Sequence, residues 1–468
     1  MVGEGSHRTA AHAVPAARGG GSEYPPRIVR ERGFRRDHPG APVAGVSMTV
    51  AWHGRPIEVV GVGADGIDGL GRSARDAIDA ADLVAGSRRQ LDLVGVAGAR
   101  RIEWPSPLVP ALPGLLEQWL GRRVCVLASG DPMFYGIGVT LARLVGASAL
   151  RVLPQPSSVS LACARLGWAL ASTPVVNVVG RPLSTVLPEL VDGRRVLVLS
   201  EDERTPGALA DLLTRNGFGK SSVTVLEQLG GSRELLVSGV AKRWDRPHGD
   251  SLNIVALDCV AERDLRRATR IPGLDDEFFG GDGQLTKHEV RALTLSALAP
   301  APGELLWDIG GGSGSIAIEW SRTHPACRAV TFERLARRRT QIADNAEALG
   351  VSRLEIRGEF VGESAAAPTP DAVFLGGGLT ADGVFETCWA RLRAGGRLVA
   401  NAVTAESESA LLALSAEHGG ELRKYQIYRA EPLGGFRTWR PQLPVTQWWA
   451  VKPGGLGEES SQAQESRR

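Results

Sequence analysis

Short apolar runs that end at glycine, proline or serine recur along the first half of the chain. Segments with apolar residues at helical spacing, such as "SVSLACARLGWAL" (158–170), lie between several of these runs. This alternation predicts strand–helix units and a mostly parallel sheet. The predicted strands are "IEVVGVG" (57–63), "RVCVLASG" (123–130), "LRVLP" (150–154), "PVVNVVG" (174–180) and "RRVLVLS" (194–200).

Three later runs in this half change the pattern. The runs 222–231, 233–239 and 252–259 follow one another with little room for helices. Close spacing is typical of antiparallel strands, because short turns can join them. We therefore predict that these runs complete a second lobe, and that residues 57–262 form a two-lobed α/β domain.

The strand–helix alternation restarts in the second half and predicts a Rossmann-like α/β domain over residues 273–452. The runs 425–430 and 446–452 predict a final antiparallel pair. The charged segment 263–272 ends in a proline before Gly273 and predicts the linker between the domains. Further strands are predicted at 304–310, 328–333, 371–377 and 396–403, and helices at 289–299, 315–323 and 337–350.

Both ends of the chain lack apolar periodicity. Residues 1–47 are rich in Arg, Gly, Pro and Ala, and residues 453–468 are rich in Gly, Ser and Glu. Such compositions bury too little apolar surface to fold, so we predict a disordered leader and a disordered tail. The leader also lacks the apolar core of about 7–15 residues that a signal peptide needs. We put forward the hypothesis that translation starts at Met48, which the mass of the native protein would test.

Charge and composition argue against several classes of partner. The formal net charge is +2 and aromatic residues make up 5% of the chain, which indicates neither a polyanion-binding field nor a base-stacking surface. No apolar run reaches the length of about 18 residues that a membrane span needs. The five cysteines are scattered without a CxxC pair, so neither a metal site nor a disulfide framework is indicated. We expect a cytoplasmic protein without a nucleic-acid partner, a membrane contact or a bound metal.

The clearest motif in the second half is "LLWDIGGGSGSIAIEW" (305–320), a strand, a glycine loop and a helix. Such a loop lets the backbone approach a ligand closely and can present free N–H groups. The dinucleotide pattern GxGxxG fails here, because Ser315 stands where the third glycine should be. The pattern that fits is acid-x-Gly-x-Gly-x-Gly, with Asp308, Gly310, Gly312 and Gly314.

A second acid indicates a ligand that contains an adenosyl ribose. Glu333 ends a predicted strand 19 residues after Gly314, where an acid can bind both ribose hydroxyls. Nicotinamide dinucleotides and S-adenosylmethionine both carry that ribose, so Glu333 alone leaves both open. Asp308 and Glu333 together favour S-adenosylmethionine, because no pyrophosphate has to be accommodated. The cofactor contacts predicted in this half are Asp308, Gly310, Gly311, Gly312, Ser313, Gly314 and Glu333.

Two loops of the first half also suit a ligand. The stretch "GVGADGIDGL" (61–70) follows a strand but is a weak signal by itself. "LASGDPMFYGIG" (127–138) is stronger, because its turn lies at the carboxyl edge of the sheet, where open α/β sheets bind ligands. In "PQPSSVSLACARLGW" (154–168), Ser157 or Ser158 is suited to cap a helix.

The second half resembles the decarboxylating precorrin methyltransferase family, which has a class I methyltransferase fold. The resemblance lies in residues 273–320, in "DAVFLGGGL" (371–379) and in "NAVT" (401–404). It implies that Thr286 and the glycine loop contact S-adenosylmethionine, that Glu333 binds the ribose and that Glu359 borders the adenine. Methyltransferases that act on exocyclic amines of nucleic acids often carry an Asn/Asp-Pro-Pro-aromatic motif where this chain has "FLGGG" (374–378). That motif is absent here. The run Arg337–Arg339 lies on a predicted helix between the acids Glu333 and Asp344, so we interpret it as a solvated helix face rather than a substrate cradle.

The first half resembles the tetrapyrrole methylase family, which holds S-adenosylmethionine between two α/β lobes. The resemblance rests on the loops quoted above and on "GRP" (180–182), "VLEQLGG" (225–231) and "LNIVALDC" (252–259). In the first loop Ala64 replaces the proline of the commoner family form, which makes Gly63 a less certain contact. The cofactor contacts that this resemblance implies are Gly63, Gly130, Asp131, Phe134, Ser157, Ser158 and Asn253.

The order of the two domains resembles that of decarboxylating precorrin C5,15-methyltransferases of the cobalamin pathway. This resemblance implies two S-adenosylmethionine sites per chain and methylation of precorrin-6B at C5 and C15, with loss of CO2 from the C12 acetate to give precorrin-8X. We also expect a homo-oligomer, and no catalytic base is assigned. A nicotinamide-dependent reductase fused to a binding domain and a non-catalytic scaffold stay open as alternatives. Candidate partners for substrate carboxylates are Arg88, Arg89, Arg233, Arg437 and Arg440.

Overall fold

The computed structural model describes residues 50–454. Within that range the strands form three larger sheets and one two-stranded hairpin. The predicted leader and residues 455–468 of the predicted tail lie outside the described residues. The helices are α1 (Arg72–Ala80), α2 (Arg88–Leu93), α3 (Leu108–Gln118), α4 (Ile137–Val145), α5 (Ser158–Leu166), α6 (Thr205–Arg215), α7 (His288–Leu298), α8 (Ser315–Thr323), α9 (Ala336–Ala348), α10 (Phe360–Glu363), α11 (Val384–Arg391) and α12 (Ala405–His418).

The first sheet forms the N-terminal lobe and is parallel throughout. Its strands are β1 (Ile57–Val62), β2 (Leu83–Gly86), β3 (Arg101–Glu103), β4 (Val124–Ser129) and β5 (Leu150–Leu153). They lie in the order β3-β2-β4-β1-β5. The central strands β1 and β4 are almost wholly buried, which explains their continuous apolar runs. Their positions and that of β5 confirm the prediction, whereas β2 and β3 are too short to show a periodic pattern.

The second sheet forms the other lobe of the first half. Its strands are β6 (Val175–Asn177), β7 (Arg195–Leu199), β8 (Ser222–Glu227), β9 (Leu235–Val240) and β10 (Asn253–Asp258), in the order β6-β7-β10-β8-β9. β10 is antiparallel to both of its neighbours, and β8 is antiparallel to β9. The predicted change from parallel to antiparallel strands is therefore confirmed.

The third sheet belongs to the second half and is parallel except at β19, which runs antiparallel to both of its neighbours. The strands of this half are β11 (Leu305–Ile309), β12 (Arg328–Phe332), β13 (Glu355–Arg357), β14 (Ala372–Leu375), β15 (Arg397–Ala402), β16 (Glu421–Tyr425), β17 (Tyr428–Leu433), β18 (Phe436–Pro441) and β19 (Val445–Val451). The sheet order is β13-β12-β11-β14-β15-β19-β16, and β17 pairs only with β18. The chain thus reverses its direction across the sheet between β11 and β14, which creates a crevice where α/β sheets bind ligands.

The prediction for the last strands is wrong in one respect. Residues 425–430 do not form one strand that pairs with 446–452. β16 ends at Tyr425 and pairs with β19, while β17 begins at Tyr428 and pairs with β18. Both strands are exposed at nearly every residue and carry no apolar alternation, so the sequence does not show that the chain turns between them.

The predicted linker is fastened to both halves of the chain. The Arg270 guanidinium donates to the Glu189 carboxylate of the first half and, at 2.6 Å, to the Arg322 carbonyl oxygen of the second. A Cβ atom added to Gly350 would lie 2.5 Å from a ring carbon of Pro188, which shows how closely the two domains approach here. The segment predicted as a linker therefore makes hydrogen bonds to residues of both halves.

Candidate active sites

A cavity of about 810 Å³ opens at the carboxyl ends of β11, β12, β14 and β15. This volume lies in the range of about 300–1,000 Å³ that is typical of small-molecule sites. Gly314 does not line the cavity. It packs against Ile342 instead, since a Cβ atom added to Gly314 would lie 2.7 Å from a side-chain carbon of Ile342. The predicted residues that line the cavity are Thr286, Asp308, Gly310, Gly311, Gly312, Ser313, Glu333 and Glu359.

The glycine loop brings the backbone close to a ligand, but it offers few free amides. The N–H groups of Gly310 and Gly311 both donate to the Phe332 carbonyl oxygen at 3.0 Å. The N–H of Gly312 donates to the Glu333 carboxylate at 3.0 Å. The expectation of free N–H groups is therefore wrong for these three residues. A loop whose amides are already bonded is poorly suited to a pyrophosphate.

Glu333 is held in place by backbone groups on both of its carboxylate oxygens. One oxygen accepts from Gly312 N–H and the other from Leu335 N–H at 2.9 Å. The residue is only 5% exposed, yet it lines the cavity. A carboxylate has about four acceptor positions, so both oxygens keep capacity for ligand hydroxyls. Glu333 thus offers acceptors that suit a ribose, and its ribose role stays a prediction.

Asp308 lies beneath the glycine loop at the end of β11 and is almost fully buried. Burial raises the pKa of its carboxyl group to about 7, against a hydrogen bond from the Thr331 hydroxyl at 3.3 Å that lowers it. The negative charge of Glu333 adds to the rise. A cationic ligand in the cavity would favour the ionised form of Asp308.

The pKa of Asp308 predicts a pH-dependent stability. Because the folded-state pKa lies above the ordinary value, the stabilisation from Asp308 is fully present below about pH 4 and is lost as the pH rises to about 7. We expect Asp308→Asn to become progressively more stable than the ligand-free native protein over this range, by up to about 1.4 kcal/mol per pH unit. Denaturant titrations from pH 5 to pH 8 measure this, with Asp344→Asn on the exposed face of α9 as the control. A difference that does not vary with pH would contradict the assignment.

The segment before α7 covers the cavity and is anchored by a buried ion pair. Arg291 of α7 is fully buried and its Nε donates to Glu319 of α8 at 2.5 Å. Its other nitrogens donate to the carbonyl oxygens of Leu274 and Thr286. Glu319 in turn accepts from the N–H groups of Gly273 and Leu274. This ion pair therefore positions Thr286 at the cavity.

A polar network adjoins the cavity on the side away from Glu333. The amide of Asn401 donates to the Thr294 hydroxyl at 2.8 Å, and the buried Gln447 donates to both of them. The Tyr425 hydroxyl donates to Gln447 at 3.2 Å. Asn401 and Tyr425 line the cavity. Tyr425 went unpredicted because it comes from a strand far along the chain and carries no local motif.

The run Arg337–Arg339 is only partly a solvated helix face. The Arg337 side chain is 72% exposed, but that of Arg338 is 17% exposed and lines the cavity. Both donate to Asp282 of the covering segment, at 3.1 and 2.8 Å. The interpretation of a solvated face is therefore wrong for Arg338, which ties α9 to the cover.

A second candidate site lies at the carboxyl edge of the first sheet, where three strand ends meet. Gly130 donates its N–H to the Val62 carbonyl oxygen at 3.0 Å and accepts from Gln155 N–H at 3.2 Å. Its φ is +56°, and an added Cβ would lie 3.1 Å from the Pro156 carbonyl oxygen. Only glycine fits there without strain. The structure thus brings together the loops predicted around Gly63, Gly130 and Ser157.

Asp131 and Ser157 make hydrogen bonds to backbone groups of their own loops. The Asp131 carboxylate accepts from Met133 N–H at 2.8 Å, and the Ser157 hydroxyl caps α5 by accepting from Ser160 N–H at 3.1 Å. Ser158 is the exposed first residue of α5. Phe134 is 37% exposed beside the same turn. These contacts fix the loop geometry, and the cofactor roles of the four residues stay predictions.

The other lobe faces this edge. A Cβ added to Gly231 would lie 3.0 Å from Cβ of Ala64, so the loop after β8 contacts the loop after β1. Asn253 donates to the carbonyl oxygens of Asp202 and Asp250, while its buried Oδ1 has no hydrogen-bond partner within residues 50–454. A buried acceptor of this kind is usually satisfied by water or ligand. The residues therefore fit a polar ligand between the lobes.

Comparison with known proteins defines the class. Residues 56–244 match the family model for tetrapyrrole (corrin/porphyrin) methylases, and residues 277–452 match that for the precorrin methyltransferase domain. The chain is therefore a methyltransferase built from two different methylase domains, and S-adenosylmethionine is the methyl donor that such domains use. It belongs to the precorrin-6Y C(5,15)-methyltransferase (decarboxylating) family.

Three relatives support this assignment. The precorrin-6Y C(5,15)-methyltransferase [decarboxylating] of Mycobacterium tuberculosis is 48% identical over 85% of this chain and 100% of its own length. The cobalt-precorrin-7 C(5)-methyltransferase of Salmonella typhimurium is 31% identical over 37% of this chain and 85% of its own. The cobalt-precorrin-6B C(15)-methyltransferase (decarboxylating) of the same organism is 31% identical over 37% of this chain and 92% of its own.

No helix in the described part of the chain is long and apolar enough to cross a membrane.

Proposed function

We propose that the chain methylates precorrin-6B at C5 and C15 and removes CO2 from its C12 acetate, giving precorrin-8X. In this proposal residues 57–262 methylate C5, and residues 273–452 methylate C15 and decarboxylate. The observation that supports it is a pair of candidate sites, the cavity at the third sheet and the loops at the carboxyl edge of the first sheet, which is built with a different strand order. Two unlike sites that take the same cofactor suit one substrate that needs methyl groups at two carbons.

The proposal gives the cofactor two binding sites per chain. S-adenosylmethionine, when bound, supplies an electrophilic methyl group. In the second half Glu333 would hold the ribose, Thr286 and the loop at Gly310–Ser313 would enclose the cofactor, and Glu359 would border the adenine. In the first half the cofactor would be contacted by Gly63, Gly130, Asp131, Phe134, Ser157, Ser158 and Asn253. The side chains act by orienting the reactants, since proximity supplies much of the barrier reduction when the nucleophile is a carbon of the macrocycle.

The charges around the second cavity suit decarboxylation. Two of the three cations that line the cavity are paired, because Lys287 lies 3.5 Å from Asp276 and Arg338 is paired with Asp282; Arg334 has no carboxylate within 4 Å among residues 50–454, so the acetate would have to lie beside the two paired cations. An acetate placed among them gains little stabilisation as an anion. In the proposed step the carbon–carbon bond to the carboxylate breaks, CO2 leaves and the electron pair passes into the macrocycle. A proton from water then converts the methylene carbon to a methyl group.

The proposal predicts that each half can be disabled alone. We expect Asp131→Ala to abolish C5 methylation, because the turn that forms the first site loses its acceptor for Met133 N–H, and to leave C15 methylation and decarboxylation intact. Product mass and NMR after incubation with precorrin-6B and S-adenosylmethionine measure this. Asp79→Ala on the exposed face of α1 is the control. Loss of both methyl groups in Asp131→Ala would contradict two independent sites.

A further inference from the structure

Five arginines were predicted as candidate partners for substrate carboxylates. Three of them already pair with a carboxylate of the protein, and a fourth lies on the two-stranded hairpin. Arg88 donates to Glu103 at 3.0 Å, Arg233 lies 3.8 Å from Asp250, and Arg440 lies 3.4 Å from Glu431. Arg437 is on the hairpin strand β18. Arg89 differs, because it has no carboxylate within 4 Å among the described residues and its one hydrogen bond there goes to a hydroxyl.

Arg89 lies at the edge of the first sheet that carries the candidate site. Its Nη2 donates to the Ser129 hydroxyl at 3.1 Å, and Ser129 directly precedes Gly130. The neighbouring Gln90 donates to the same hydroxyl at 3.0 Å, and Gln90 is fixed by a capping box with Ser87. The start of α2 is thus locked to the end of β4.

This arrangement leaves donors unused. A hydroxyl has two acceptor positions and one donor, and Arg89 and Gln90 occupy both acceptor positions of Ser129. The exposed Ser129 O–H is therefore free to donate, and the guanidinium keeps most of its five N–H groups. We propose that Arg89 and Ser129 bind a carboxylate of the tetrapyrrole between the two lobes. This proposal rests on the proposed function of the first half.

Charge and burial support an anion at this place. Burial lowers the pKa of the Arg89 guanidinium, and Asp250 of the other lobe acts in the opposite direction. Asp250 makes no ion pair with Arg89 within 4 Å and is occupied by other donors, since it accepts from Gln228 and from Leu252 N–H. Within residues 50–454 Arg89 is thus a partly desolvated cation without an ion-pair partner, and a ligand carboxylate would compensate it with charge-assisted hydrogen bonds.

The strand order indicates the substrate rather than the amino-acid carboxylate of the cofactor. The predicted cofactor loops follow β1, β4 and β5, whereas Arg89 follows β2, on the far side of β4. The turn after Ser129 also exposes Met133 and Tyr135, 46% and 53% exposed, beside Phe134. An apolar surface next to a cation suits a large macrocycle that carries carboxylates.

The test compares Arg89→Ala and Arg89→Lys with Arg88→Ala, the adjacent arginine that is paired outside the site. With precorrin-6B as substrate, we expect Arg89→Ala to raise the KM for C5 methylation about 10- to 100-fold, the usual range for a lost charged hydrogen bond. Its kcat should change less, Arg89→Lys should recover part of the loss, and Arg88→Ala should behave as the native protein. C15 methylation by the same sample is the internal control for folding.

Calorimetry with S-adenosylhomocysteine separates the two sources of a carboxylate. We expect its affinity for the first site to be unchanged in Arg89→Ala. A fall in that affinity with an unchanged KM for precorrin-6B would assign Arg89 to the cofactor and overturn the proposal, as would an unchanged KM with unchanged affinity. If the native protein methylates no precorrin, the proposed function itself fails, which is a different result from a native-like Arg89→Ala.

Discussion

Replacing Glu333 with alanine is expected to abolish C15 methylation and decarboxylation while C5 methylation continues. The carboxylate orients the loop through Gly312 N–H and, in the proposed complex, binds the ribose hydroxyls. The alanine variant loses both the hydrogen bond from Gly312 N–H and the hydrogen bonds from the ribose. Because these bonds involve a charged group, their loss should weaken cofactor binding in the second half by at least about 100-fold. Calorimetry with S-adenosylhomocysteine should then show one site per chain instead of two.

Two comparisons make the Glu333 result specific. Glu333→Gln keeps the shape and one acceptor oxygen, so we expect a smaller loss of affinity than for alanine. Glu347→Ala removes an exposed acid from α9 and should retain both sites. The assignment of Glu333 would be refuted by Glu333→Ala protein that is folded, binds two S-adenosylhomocysteine molecules and makes the doubly methylated product.

Truncating Arg291 should give a large loss of stability in the second half. Arg291 and Glu319 are both buried, and removing the guanidinium leaves the Glu319 carboxylate without its counter-charge. Breaking a buried pair in this way costs about 3–5 kcal/mol. We expect Arg291→Leu to lower the free energy of unfolding by about that amount and to release the covering segment, because the anchors at Leu274 and Thr286 are lost together.

A second substitution separates the charge from the packing. Arg291→Leu with Glu319→Leu removes the unpaired carboxylate of Glu319, so we expect this double variant to recover part of the stability that Arg291→Leu loses; Asp276 keeps Lys287 as a partner. In both the single and the double variant the covering segment lacks its anchor, so we expect the affinity of the second half for the cofactor to be lower than in the native protein. The free energy of unfolding is measured by chemical denaturation monitored through tryptophan fluorescence, because Trp307 and Trp320 lie in the core of this half. A double variant as unstable as the single one would show that the cost does not come from the unpaired carboxylate.

The glycine loops show how far local sequence determines a site. The motif from Asp308 to Glu333 predicted a strand, a loop and an acid at the end of the next strand, and all three lie where expected because they depend on a short stretch with fixed geometry. The ribose role of Glu333 stays a prediction. What the sequence missed was the use of the loop amides. Phe332 and Glu333, on the neighbouring strand, bond to the N–H groups of Gly310 to Gly312, and only the pairing of β11 with β12 brings these residues together.

The sequence was sufficient to predict the α/β fold class, most of the strands and the positions of the glycine loops, because apolar periodicity and turn-forming residues act over a few neighbours. The tertiary structure alone decided which polar groups meet across long separations. Arg291 is buried against Glu319, Tyr425 reaches the cavity, and Arg89 lies beside Ser129 but Arg88 does not. In the sequence these side chains resemble ordinary surface residues, since burial and partner choice depend on the folded arrangement of distant elements.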